Sequence, residues 1–194
     1  MNKSTANKQS ICAVGETLFA LHGYSAVGIK MILDEVGIPK GSFYHYFASK
    51  EAFAASVAEY YFQQRIQPIS IEPTANFKIN LSTVLTGYHQ LIDELFSGDQ
   101  PRGCLMGNLM VEVNEHTPLL HQTLNHLYEQ WLLLFTELIQ QGQQQGFIRT
   151  DLSAQVLAGL FWANWQGTIL RCQIKADKAA AKRAIVQCMQ LITR

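Results

Sequence analysis

Two stretches of this chain hold side chains whose type and spacing could do chemistry. The first runs Ile38-Pro39-Lys40-Gly41-Ser42-Phe43-Tyr44-His45-Tyr46-Phe47 and closes on Ala48-Ser49-Lys50-Glu51. Pro39 suits the first position of a helix, where its missing N–H costs nothing. On a helical wheel Phe43, Tyr46 and Phe47 share one face at i, i+3, i+4 spacing and are expected to pack inward. Gly41 and His45 then point most directly outward, flanked by Ser42 and Tyr44, with Lys40 at the helix start. A helix this short, pinned by three aromatics and showing a small hydrogen-bonding face, is suited to insertion into a groove. The DNA major groove fits its chemistry.

The second stretch is Pro101-Arg102-Gly103-Cys104, which opens a predicted helix from Gly103 to about Glu115. The partial positive charge of a helix N-terminus, with Arg102 close in sequence, favours the thiolate form of a cysteine in the first turn. Such a thiol reacts with electrophiles, hypochlorite or peroxide. Lys175 is one of several cations that folding could bring close to it. The alternative is that Cys104 is a small buried residue in the wall of an ordinary ligand pocket. Tyr88, Met106, Asn108, Met110, Trp131, Phe135, Trp162 and Trp165, with Phe161, are the candidates for lining such a cavity. Cys12, Cys172 and Cys188 lie on apolar helical faces and are expected in the core.

Other chemistries find no support. His116, His121 and His126 are spaced by five, which turns each about 140° from the last on a helix and makes a metal site unworkable. No carboxylate pair, nucleophile–base set or phosphate-binding loop is present, so no enzyme, metal or cofactor is expected.

The elements that must position these residues are helices. Lys8 to His22 carries Ile11, Val14, Leu18 and Leu21 at helical spacing and meets a stop at Gly23, and Gly28 to Val36 forms a second helix stopped at Gly37. After the short third helix, Ser49 caps a fourth that runs to about Gln67. Ile66 to Ala75, with Pro68 and Pro73, reads as a linker. Beyond it come helices over Phe77 to Phe96, Gly103 to about Glu115, Pro118 to about Gln145, about Ser153 to Lys175 and about Asp177 to Thr193. No convincing period-two stretch interrupts them, so the fold class is all-α, with about nine helices. The expected division is residues 1–50, a three-helix helix-turn-helix DNA-binding domain, and residues 51–194, a helical domain for inducer sensing and dimerisation.

Charged residues are 15% of the chain, below the roughly one quarter usual in soluble proteins, so part of the surface is expected to be covered in an oligomer. The 15 basic and 15 acidic residues cancel, and the first sixty positions balance as well. Nucleic-acid binding must therefore rest on placed contacts and not on bulk charge. No apolar run approaches a membrane span and the polar segment Met1 to Ser10 resembles a mobile arm, not a signal peptide. A cytoplasmic protein with reduced thiols is expected.

The run Lys40-Gly41-Ser42-Phe43-Tyr44-His45-Tyr46-Phe47 with Gly37-Ile38 before it and Ser49-Lys50-Glu51 after it resembles the TetR family of bacterial transcriptional regulators. Around Gly103-Cys104-Leu105 the chain is similar to the NemR-like subgroup, which senses reactive electrophiles and oxidants. The resemblance implies a homodimer that binds a near-palindromic operator in double-stranded DNA, with no membrane partner. It implies a repressor, an activator being the rarer case, released by a small-molecule inducer or by oxidation or modification of Cys104. It also implies roles for single residues. Lys40 and Lys50 would meet phosphates, the Tyr44 hydroxyl would donate to a phosphate oxygen, Gly41 would admit the backbone, and Ser42 and His45 would read base edges. One position departs from the family pattern: Val27-Gly28 stands where a hydroxyl residue usually opens the second helix, leaving Ser25 as the available cap.

Overall fold

The computed structural model describes residues 8–69, 71–72, 75–98 and 101–193. Among them nine α-helices follow in order: α1 Lys8–Ala26, α2 Ile29–Val36, α3 Lys40–Tyr46, α4 Lys50–Tyr61, α5 Phe77–Leu95, α6 Leu105–Met110, α7 Pro118–Gln144, α8 Ala154–Lys175 and α9 Lys178–Ile192. A π-helical turn, Phe62–Ile66, extends α4. No strand occurs among the described residues; Ile148 and Thr193 form one isolated antiparallel bridge. The all-helical expectation holds. Most of the polar arm at Met1 to Ser10 and part of the Ile66 to Ala75 linker lie outside the described residues.

Helix starts follow from short polar side chains that accept an otherwise orphaned N–H. Ser49 accepts from Ala52, Asn76 from Ile79, Ser153 from Val156 and Asp177 from Ala180. Gly37, with φ 72°, ends α2 and donates its N–H to the Leu33 carbonyl, a left-handed stop that glycine adopts without strain. The expected helix from Gly103 to about Glu115 is shorter, and the cause is local. Asn114 and Thr117 take backbone donors with their own side chains, at His116 and Asn114, and fold the chain into turns after Met110.

By packing, the chain divides into two units, Met1–Gln64 with Leu105–Leu127 and Arg65–Cys104 with Tyr128–Arg194. In the first, α1 packs along α4 and against α2 and α6, and α6 also touches α4. The position expected to end a domain, residue 50, lies inside this unit. Its centre is Phe53, whose ring stands 5.4 Å from Phe43, 4.9 Å from Phe47 and 5.6 Å from Phe19. Gly15 lets α1 approach this ring, since a Cβ there would come within 2.4 Å of it. In the second unit α9 packs on α5 and α8. Its core is an aromatic cluster of Tyr88, Trp131, Phe135, Phe161 and Trp165, each 1% exposed. Asn80, also 1% exposed, satisfies its amide with the Glu72 carbonyl and Gln141 Oε1, and so fastens the linker to α5 and α7.

Candidate nucleic-acid interface and sensing residues

The second and third helices are joined by a turn that the sequence builds almost completely. Gly37 reverses the chain, Pro39 takes φ −64° at the N-cap, and its carbonyl accepts from Ser42 and Phe43. Phe43 is 0% exposed and Phe47 2%, both against Phe53, so α3 is nailed down from one side. Lys40, Gly41, Ser42, Tyr44 and His45 are all exposed on the other side. The Lys40 ammonium sits 5.8 Å from the Tyr44 ring centre, and a Cβ at Gly41 would meet no atom within 4 Å. Donors, an imidazole and an unobstructed backbone thus share one solvent-facing surface.

Two expectations here need correction. Tyr46 does not pack inward: it is 38% exposed, because α3 ends there and Phe47 adopts extended backbone (φ −135°, ψ 119°) that swings its own ring in instead. Ser25 does not cap α2, whose N-cap is Gly28 with no side-chain hydrogen bond. Lys50 is half-buried and engaged: its Nζ donates to the Ser25 carbonyl at 3.3 Å and lies 4.4 Å from the Tyr24 ring centre. Burial lowers its pKa, and the Glu112 carboxylate partly restores it.

Cys104 is 2% exposed and immediately precedes α6, so it stands before the first turn of that helix and not within it. Gln166 Nε2 reaches its sulfur at 3.5 Å, and burial holds the Tyr88 phenol of the same unit well above its ordinary range. Lys175 is not beside the thiol. It is exposed in the last turn of α8, nine residues and about 13 Å along the helix from Gln166. Among the other cysteines, burial pushes the Cys12 thiol up to about 11, Lys8 lowering it and Glu59 adding to the rise; burial also raises Cys188.

The pocket candidates fall into two groups. Met106, Asn108 and Met110 lie on α6 in the first unit, Met106 fully buried and the other two half-buried. Tyr88, Trp131, Phe135, Trp162 and Trp165 belong to the second unit and pack on one another. Trp131 Nε1 donates to the Tyr88 hydroxyl at 2.7 Å, Trp131 and Phe135 stack at 4.3 Å, and Tyr88 and Trp165 meet edge-on at 4.8 Å. Trp162 is only half-buried and forms the rim, edge-on to Trp131 at 4.8 Å. A separate open groove of about 570 Å³ runs along α5 between Pro68 and Gln90 and contains none of these residues. Among the described residues no helix is long and apolar enough to cross a membrane.

Glu112, Tyr24 and Ser25 form a polar junction that sequence reasoning did not find. The carboxylate of Glu112 accepts the backbone N–H of Tyr24 at one oxygen and that of Ser25 at the other, both at 2.7 Å. No periodicity or local spacing connects positions so far apart; Gly23, whose φ of 78° breaks α1, is the one trace left in the sequence.

Comparison with known proteins accounts for this architecture. The model for bacterial regulatory proteins of the tetR family matches residues 11–57, and that for the tetracyclin repressor-like C-terminal domain matches residues 84–188. The HTH-type transcriptional repressor DhaR of Mycobacterium sp. (strain GP1) is 34% identical over 90% of this chain and 86% of its own. The transcriptional regulator AcuR of Cereibacter sphaeroides is 30% identical over 86% and 76%. The HTH-type transcriptional repressor NemR of Escherichia coli (strain K12) is 24% identical over 99% and 98%. The crystal structure of the NemR reduced form matches with a TM-score of 0.79 over 96% of each chain. The match extends over both the helix-turn-helix and the C-terminal helices, and the chain belongs to the TetR family of bacterial transcriptional regulators.

Proposed function

We propose that the protein is a homodimeric repressor that holds a near-palindromic operator with two copies of α3 and lets go when Cys104 is modified. The observation that carries the DNA contact set is the division of α3 into a fully buried pair, Phe43 and Phe47, and an exposed set, Lys40, Gly41, Ser42, Tyr44 and His45. Ser42 and His45 read base edges, while Tyr44, Lys40 and Lys50 meet phosphates. Two such helices on a dimer face half-sites about one helical turn apart or somewhat more.

Dimerisation is supported by α8. Val156, Leu160, Leu170 and Ile174 are 50% to 84% exposed, and with Ala163 and Gly167 they recur every three or four residues. Such a stripe on a charge-poor chain is suited to a symmetry-related copy. Leu191 of α9 is exposed as well, whereas Ile185 is 0% exposed and belongs to the core of its own unit.

Modification of Cys104 would act through bulk. The thiol is buried, with Gln166 against its sulfur, so an added group must displace packed side chains. The same enclosure supports a second reading, in which a reversibly bound aromatic ligand opens the cluster at Trp162 and no cysteine reacts.

One experiment tests both parts. Promoter DNA is titrated with wild type, Cys104→Ser and a Tyr44→Ala, Lys50→Ala double variant, with and without N-ethylmaleimide or hypochlorite. The double variant is expected to lose at least about tenfold in affinity, with a shallower salt dependence. Reagent should release wild type and leave Cys104→Ser bound. Equal binding by the double variant overturns the contact set, and release of both thiol forms moves the signal to another cysteine or to a reversible ligand.

A further inference from the structure

The segment between α1 and α2 carries no side-chain cap for α2, yet α3 depends on where α2 points. Only Ala26, Val27 and Gly28 separate Ser25 from Ile29. What fixes this approach lies far away in the chain, just past the end of α6. Glu112 there spreads its two carboxylate oxygens over two successive amides, Oε1 on Tyr24 N–H and Oε2 on Ser25 N–H, both at 2.7 Å. Bonds to an ionised acceptor are the strong class of protein hydrogen bond, and a forked pair also fixes direction.

Three neighbouring features fit this arrangement. Gly23 takes φ 78°, which turns the two amides toward one point, and its missing Cβ leaves room: a Cβ would lie 2.7 Å from Oε1. From the other side Lys50 donates to the Ser25 carbonyl and covers the Tyr24 ring, so a carboxylate and an ammonium clamp the same pair of residues. The next residue, Glu51, accepts the N–H of Leu120 at 3.1 Å and so caps the first turn of α7. The start of α4 and the connection from α6 to α7 are thereby tied to each other and to the approach to α2. Burial alone would raise the Glu112 carboxyl; hydrogen bonds from Ser25 and Tyr24 and the charge of Lys50 outweigh it and hold the group below its ordinary value.

We propose that Glu112 is a positioning residue for operator binding: by gripping the Tyr24 and Ser25 amides it fixes the chain's approach to α2 and so sets the aim of α3. This rests on the reading of α2 and α3 as the DNA-binding pair, and it adds a residue outside that pair on which affinity depends. Cys104 directly precedes α6 and Glu112 closely follows it, so the proposed sensor and the grip flank opposite ends of one short helix.

The test uses the full-length protein and a duplex selected by wild type from a random pool. Glu112→Ala is expected to bind that duplex at least about tenfold more weakly, the scale of losing a charged acceptor shared by two donors. Glu112→Gln, which keeps one acceptor oxygen, should fall between Glu112→Ala and wild type. Amide hydrogen exchange at Tyr24 and Ser25 should accelerate in Glu112→Ala while total helicity stays constant. Gly23→Ala should weaken binding as well, and the Gly23→Ala, Glu112→Ala double variant should bind no more weakly than the worse single one. Losses that multiply in the double variant, or a Glu112→Ala affinity within about twofold of wild type, overturn the proposal. If Glu112→Ala fails to fold, Glu112→Gln decides by the same affinity criterion. Should wild type itself select no duplex, the DNA-binding reading fails first; should it select one that Glu112→Ala binds equally, only the role of Glu112 fails.

Discussion

The proposed reading head, α3 with Phe53 beneath it, and the aromatic core of the second unit are built from the same kind of side chain and do opposite things with it. In the head, Phe43 and Phe47 bury themselves against Phe53 so that the remaining residues of a seven-residue helix can stay exposed. In the second unit, Tyr88, Trp131, Phe135, Phe161 and Trp165 bury themselves against one another and leave Trp162 at the rim. A short helix of this length has almost no stability of its own, and its outward face exists only because its inward face is anchored. The cluster needs no such division, since its residues lie on long helices that are ordered in any case. Aromatic burial orients a surface in one unit and closes a core in the other.

The comparison breaks first at Phe43. Phe43→Ala opens a hole beneath α3 and is expected to cost about 3–5 kcal/mol, enough to abolish operator binding together with much of the folded population. Thermal unfolding and a gel shift on one preparation check both effects. If α3 stays competent without Phe43, the anchoring account is wrong.

Tyr88→Phe should separate the two units more gently. It removes the acceptor for Trp131 Nε1 and leaves a buried indole N–H unpaired, at a cost of about 1–3 kcal/mol. Urea denaturation should show the loss, while operator affinity well below the midpoint stays at the wild-type value. A matching loss of DNA binding would mean that the cluster also orients the head.

The smallest effect belongs to a surface group. Hydrogen bonds from Lys182 and Lys178 hold the Asp93 carboxyl below its ordinary 3.8. A carboxyl lowered by folding contributes stability that is fully present above its unfolded value and is lost as pH falls through the folded one. The acid limb of the melting midpoint, followed below pH 4, should therefore flatten slightly in Lys182→Ala. An unchanged acid limb would assign the contact no part in acid stability, as exposed pairs often have none.

How much of this was legible from sequence depends on the distance over which each feature is determined. Helix ends were readable because Ser49, Asn76, Ser153 and Asp177 act within three residues of themselves. The inward placement of Phe43 and Phe47 was readable for the same reason. Tyr46 was not, since a helical wheel assumes that the helix continues, and α3 ends at Tyr46 while Phe47, in extended backbone, takes the inward place. The length of α6 was hidden by apolar periodicity that runs on past Met110, where Asn114 and Thr117 compete for the backbone. Cys104 could be singled out by type and position, but its enclosure by Gln166 depends on a helix more than sixty positions away. Glu112 left no local signal of its own.

Gly41 carries a consequence for how such a protein changes over time. A Cβ added there meets nothing within 4 Å beyond its chain neighbours and its own helix backbone, whereas one added at Gly15 would collide with Phe53. Replacing Gly41 would even ease helix formation slightly, because glycine is a poor helix former. A small side chain at position 41 thus meets no steric obstacle in the fold and is felt, on the proposed interface, by the DNA. A lineage could acquire a new operator in single steps at Gly41 without ever passing through an unfolded ancestor.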